Sequence, residues 1–300
     1  MRRLAFVLAV LLLAAGTAWG AHNPNPPSCS DGGDRLTKLT LVEQLRHAPS
    51  ILVLGSSRAR VANPGTIRQL TGRSAFNAGV RGGGAADEYV FARVLGEKFP
   101  HARPAYLIFT DVGIAGDGVN PELADEPLAR RFLGKDASSR KTTCVPNGFY
   151  TPEGGIAYSA GLDAQQRAAR VAQGVAEALP KIDARGSTPV SINPATTTYF
   201  QRLLAFANKH GATPVIVLNP IYPTVLAEHL KYGFPEQKAA DTYLAWLHKR
   251  YRFVVLNCED IRTWGGTKSD FFNYDHLDRT NMSRMLGYIV AQERGILGRR

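Results

Sequence analysis

Cysteine, methionine and tryptophan are scarce, with three of each in 300 residues. No two cysteines stand at the spacing of a metal site, so the sequence offers no thiolate cluster and calls for no metal or other cofactor. Acidic residues also run short: 25 against 36 Lys plus Arg, a formal net charge of +11. That balance suits an anionic partner. The basic residues are scattered, however, and no nucleic-acid-binding motif accompanies them, which sets nucleic acid aside. There is no internal repeat and no low-complexity tract. With 44% hydrophobic and 20% charged residues, the chain has the composition of an ordinary globular protein and the length of one sizeable α/β domain.

The start of the chain reads differently. Arg2 and Arg3 precede a short apolar run, Leu4–Ala15, and Ala18-Trp19-Gly20 forms a small-x-small cleavage site. This is the pattern of a secretory signal over residues 1–20, with a mature N-terminus near Ala21 and a periplasmic or secreted product. The run is too short to span a bilayer comfortably, so no membrane span is expected after cleavage. Losing the leader lowers the positive charge by two, and an acidic polysaccharide or phosphate-bearing envelope polymer then suits the remainder. Export permits disulfides. Cys29 and Cys144 both fall in irregular Pro- and Gly-containing segments and are the expected pair, whereas Cys258 follows an apolar strand and reads as a buried thiol.

Residues 21–35 read as a flexible arm and residues 36–300 as one domain. Thr40-Leu-Val-Glu43 looks like a capping box that opens a short helix. Five short apolar runs, Ile51–Leu54, Ser74–Asn77, Ala105–Phe109, Val215–Leu218 and Phe253–Leu256, alternate with stretches of helical periodicity. The pattern lapses over 112–160, an irregular insertion placed to cover a substrate. The alternation predicts a three-layer α/β/α, flavodoxin-like sandwich with a mostly parallel five-stranded sheet, whose functional edge lies at the carboxyl ends of the strands.

Gly55 breaks the first strand, and the residues after it are expected to begin a helix with Ser56 or Ser57 at its N-terminus. Such a serine is either a nucleophile beside free backbone N–H groups or simply a helix cap. Sorting the histidines by edge narrows the choice of a base. His47, His101, His210 and His248 precede strands and belong at the opposite edge, while His22 is in the arm. His229 and His276 follow strands. His276, set among aromatics and acids in Phe271–Asp278, is the better partner for the serine.

These residues resemble the blocks of the SGNH (GDSL-type) hydrolase family. Gly55-Ser56-Ser57 is similar to the nucleophile block, with Ser57 at the nucleophile position and Ser56 where many members have Asp. Asn77-Ala-Gly-Val-Arg-Gly82 resembles the second block, which implies that the Gly82 N–H joins that of Ser57 in an oxyanion hole and that Asn77 lies at the substrate site. His276-Leu277 before an amphipathic helix resembles the last block, which implies that His276 is the general base. Two departures stand out. Thr110-Asp111-Val112-Gly113 occupies the third block without its Asn donor, and Asn273 stands where the family has the triad Asp, leaving Asp270 or Asp275 as alternative acids. Arg58 is either a solvated first-turn side chain or a group that steadies an anionic substrate.

Gly-Ser-Ser-Arg with an export signal and a degenerate third block is similar to periplasmic SGNH-like proteins that acylate or deacylate envelope polymers. The resemblance implies an esterase or O-acyltransferase that acts on acylated polysaccharide through an acyl–Ser57 intermediate. The alternative is a catalytically impaired polysaccharide-binding or scaffold protein with the same fold.

Overall fold

The computed structural model describes residues 33–111, 116, 118–135, 137–139, 150–156 and 163–298. In it the five apolar runs form one sheet of five parallel strands. These are β1 (Ile51–Gly55), β2 (Ala75–Asn77), β3 (Ala105–Thr110), β4 (Val215–Leu218) and β5 (Val254–Asn257), in the spatial order β2-β1-β3-β4-β5. The order reverses between β1 and β3, and that switch opens a crevice at the carboxyl edge. A separate antiparallel pair, β6 (Phe271–Asn273) and β7 (His276–Leu277), stands outside the sheet.

Alternation along the strands divides the core between two faces. Leu52, Leu54, Ile108 and Ile216 pack on one side against α1 (Asp34–Gln44), α3 (Ala85–Lys98), α7 (Thr198–Lys209) and α9 (Pro235–His248). Ile51, Val53, Leu107, Phe109 and Val217 pack on the other side against α2 (Pro64–Thr71) and α10 (Arg279–Gln292), where Met282, Met285, Leu286 and Ile289 form the buried stripe. Each buried aliphatic contributes about 1.5–3 kcal/mol of transfer free energy, which makes the three-layer arrangement the one that hides both faces. Helices α4 (Pro121–Asp125), α5 (Pro127–Arg130), α6 (Ala164–Arg185), α8 (Pro223–Lys231) and α11 (Arg294–Leu297) complete the set. No helix among the described residues is long and apolar enough to cross a membrane.

The structure departs from expectation in three places. After β1 only a single 3-10 turn, Ala59–Val61, precedes α2, so neither Ser56 nor Ser57 caps an α-helix. Asn63 is the cap, its Oδ1 accepting from Thr66 N at 3.1 Å, and Pro64 starts the helix. A residue before proline is pushed out of the helical region, so the helix cannot extend back to the serines. Helix α1 begins at Asp34 instead of Thr40, which places Asp34 and Arg35 in the domain and not in an arm. The 112–160 segment is also not wholly irregular, since Leu123, Ala124 and Ala129 of α4 and α5 are buried in the core. The leader, Cys29 and Cys144 lie outside the described residues. Cys258 is a free, buried thiol, pushed up to about 12 by burial and then by the neighbouring Glu259.

Candidate active site

Register aligns the strand ends: Gly55 lies opposite Phe109, Thr110 opposite Leu218, and Leu218 opposite Asn257. The residues that follow, Ser57, Asp111, Asn219 and Glu259, therefore emerge along one edge. Gly55 makes the turn to Ser57 possible. Its φ is +137°, and a Cβ there would stand 2.6 Å from the Phe109 carbonyl oxygen.

His276 reaches this edge from the β6–β7 hairpin. Asn273 pairs with His276 across a two-residue turn, so the side chains at 273, 275 and 276 converge. The Ser57 hydroxyl lies 2.8 Å from His276 Nε2, and Nδ1 lies 2.6 Å from Asp275 Oδ1 and 2.9 Å from Asn273 Oδ1. The Asp275 backbone N–H donates to the same Asn273 oxygen at 3.1 Å, which fixes the amide with its oxygen toward the ring. Both atoms facing Nδ1 are thus acceptors. The proton belongs on Nδ1, and Nε2 is left to accept from Ser57.

Of the candidate acids, Asp275 is the carboxylate on His276 Nδ1, with the Asn273 amide oxygen as a second acceptor beside it. Although Asp275 adjoins the histidine in sequence, the turn folds its side chain back onto the ring. Asp270 pairs instead with Arg284 at 2.6 Å. Burial pushes the Asp275 carboxyl up, but the bond to His276, that ring's charge and Arg58 outweigh it and leave the carboxyl below its ordinary range. Arg58 is partly buried, and its guanidinium is engaged by two carboxylates. It pairs with Asp111 and holds Asp275 through Nε to the backbone oxygen at 2.8 Å and Nη2 to Oδ2 at 3.3 Å. These bonds hold Asp275 in place beside His276.

The second block forms a loop whose Val80 N–H donates to Gly55 O at 3.2 Å, keeping it beside the serine turn. Gly82 is exposed at φ +56°, and its N–H donates to no described group, as an oxyanion donor requires. Asn77 is not a substrate ligand. It is fully buried, with Nδ2 donating to the carbonyls of Ala59 and Ala62 at 2.8 and 2.7 Å and Oδ1 accepting from Gly79 N at 2.8 Å.

Helix α1 grips the same loop from behind. Asp34, Arg35 and Lys38 share one face of that helix and are almost completely buried. Lys38 Nζ donates to the carbonyls of Asn77 and Gly79 at 2.9 and 2.5 Å, and burial drives its ammonium well below the usual lysine range. Asp34 accepts from Arg81 N at 3.1 Å. Arg35 grips Asp87 at 2.7 and 3.1 Å and donates to the carbonyls of Arg81 and Gly82 at 3.3 and 3.1 Å. In a trans peptide C=O and N–H point oppositely, so holding the Arg81 carbonyl toward Arg35 turns the Gly82 N–H away from it and frees it from internal bonding.

No family model matches this chain, and no curated protein matches it. The site therefore stands on its own geometry. His229 lines a neighbouring cavity and faces Glu236 at 3.7 Å, which leaves His276 as the histidine on Ser57. Sequence reasoning missed Arg35, Lys38, Asn219 and Glu259. Asn219 follows β4 directly and Glu259 lies two residues past β5, and the edge rule applied to the histidines would have found them. Arg35 and Lys38 carried no periodic signal. Tyr274, at the hairpin tip, packs on Gly174 of α6, where a Cβ would overlap its ring.

Proposed function

We propose that the chain is an exported SGNH-type serine esterase or O-acyltransferase that acts on acylated carbohydrate. The observation that carries the proposal is the continuous Asp275–His276–Ser57 hydrogen-bond chain at 2.6 and 2.8 Å. The motif order, the leader and the positive charge support the substrate class and the location.

In the reaction Ser57 Oγ attacks the acyl carbonyl and its proton passes to His276 Nε2. The Ser57 and Gly82 N–H groups receive the negative charge on the carbonyl oxygen. Asp275 stabilises the imidazolium, while Asn273 shares the Nδ1 proton without adding charge. Collapse of the tetrahedral species breaks the ester C–O bond, and His276 returns the proton to the leaving oxygen. Water or a sugar hydroxyl then attacks the acyl–Ser57 ester by the same route.

One observation favours the second reading, a scaffold that has lost the reaction. The third block, Thr110-Asp111-Val112-Gly113, lacks the family's oxyanion-donating Asn, and its Asp111 is already paired with Arg58. A fluorophosphonate probe separates the two readings. Labelling at Ser57 that is lost in His276→Ala supports the enzyme, and an unlabelled, folded protein supports the scaffold.

A further inference from the structure

Beside the triad, the ends of β1, β3, β4 and β5 enclose a cavity of roughly 200 Å³. Asn219 and Glu259 line it, and each is only 5% exposed. One polar atom of each is engaged: Asn219 Nδ2 donates to Asp111 Oδ1 at 2.9 Å, and Glu259 Oε2 accepts from Asn257 Nδ2 at 2.8 Å. The other atom of each, Asn219 Oδ1 and Glu259 Oε1, has no hydrogen-bond partner among the described residues. Buried acceptors are normally paired, so two unpaired ones on residues that line one cavity point to donors that arrive from outside.

We propose that this cavity is a substrate subsite for a small group carrying hydrogen-bond donors, a primary ammonium or a hydroxyl, with Asn219 Oδ1 and Glu259 Oε1 accepting from it. Only its designation as a substrate subsite rests on the ester-chemistry reading. The two unpaired acceptors do not. Ile221 and Val225 complete the wall and suit a short alkyl stem.

The surrounding charges lean toward a cation. Asp111 and Asp275 line the cavity, and the single guanidinium of Arg58 is shared between them. His229, also in the lining, is held below its ordinary value by burial and then by Arg185. Asp241 on α9 adds negative potential at Glu259. Burial, then Asp241 and Asp111, push the Glu259 carboxyl up to about 7 against the opposing bond from Asn257. An ammonium would supply the counter-charge that an ionised Glu259 lacks, so its binding should tighten as pH rises through 7. Hydroxyl binding should not.

The test measures binding of three near-isosteric esters to the Ser57→Ala chain by calorimetry or NMR titration: ethyl 3-aminopropanoate, ethyl 3-hydroxypropanoate and ethyl butanoate. At pH 8 one or both donor-bearing esters should bind about tenfold or more tighter than ethyl butanoate, the scale of a hydrogen bond to a charged group. Tightening between pH 6 and 8 for the amino ester identifies the ammonium as the preferred group. A pH-independent preference for the hydroxy ester identifies the hydroxyl. Glu259→Gln, an isosteric change, should abolish most of the preference, and Asn219→Ala should reduce it. Ethyl butanoate binding as tightly as the other two, or a preference unchanged in folded Glu259→Gln, would overturn the proposal. Because Ser57→Ala needs no turnover, the subsite stands or falls separately from the esterase activity of the wild-type chain.

Discussion

Arg35 makes no contact with the proposed reacting atoms, yet its replacement should be felt mainly in catalysis. Arg35→Lys keeps the positive charge, so buried Asp87 is not left alone, an outcome that would cost about 3–5 kcal/mol. A point ammonium cannot reproduce the two-pronged grip on Asp87 at 2.7 and 3.1 Å together with the bonds to the Arg81 and Gly82 carbonyls at 3.3 and 3.1 Å. Losing those two carbonyl bonds should cost about 1–3 kcal/mol of stability in total. Freed from its anchor, the 81–82 peptide no longer presents the Gly82 N–H in one orientation. A missing oxyanion donor costs roughly 100- to 1,000-fold in kcat, and a loosened one should cost at least about tenfold. The contact forms as charge develops, so kcat should fall while KM stays nearly level. The assay is steady-state hydrolysis of p-nitrophenyl acetate with a parallel melting curve. A variant that melts lower but keeps kcat within about twofold of wild type would refute the reasoning.

The triad acid can be assigned directly: Asp275→Asn should lower kcat by roughly three to four orders of magnitude. Asn273→Asp should bring no gain, because a second carboxylate beside Asp275 repels the first, and a rise in rate would reverse the assignment. Ser57→Ala and His276→Ala should each remove most acetyl-ester cleavage, and the double variant should be little worse than either, as kinetics on the purified proteins will show. Stability should peak in mildly acid solution when denaturant melts are run against pH. The Asp34 carboxyl is raised by burial but lowered more by Arg81 and Arg60, as Asp275 is by its own partners, so their stabilisation is present above the unfolded value near 4 and is lost as pH falls further. Glu259 rises from 4.5 to about 7, so the native state holds an extra proton between those values and loses up to about 3 kcal/mol as pH climbs through them. Glu259→Gln should flatten that upper slope.

Much of the sheet is visible in the sequence because a strand buried on both faces must be continuously apolar, as Ile51–Leu54 and Val215–Leu218 are. The start of helix α1 is not legible for the opposite reason. Its first two turns carry Asp34, Arg35 and Lys38 inward, and polar residues that are buried through pairing leave no hydrophobic period to read. Ser57 and His276 could be found from order alone, since each follows a strand and the edge rule puts both on one side. The acid could not. Strand alternation would send adjacent Asp275 and His276 to opposite faces, and only the turn at Tyr274-Asp275 brings the two side chains together. Asn77 belongs to the second block by sequence, but its donors and its oxygen are spent on the turn around it, a use that the motif alone does not reveal.

The packing of Tyr274 on Gly174 gives the molecule a remote adjustment. The hairpin that carries His276 and Asp275 leans on α6 at a point where the helix has no side chain. Exchanging one hydrogen for a methyl, Gly174→Ala, would force the ring aside and shift the turn next to it. Ser57, Asp275 and His276 would all keep their identity while the spacing between Ser57 and His276 changed. An engineer, or a lineage under selection, could therefore adjust the proposed site from this helix, and suppressors of such a change should arise at Tyr274 before they arise at Ser57, Asp275 or His276.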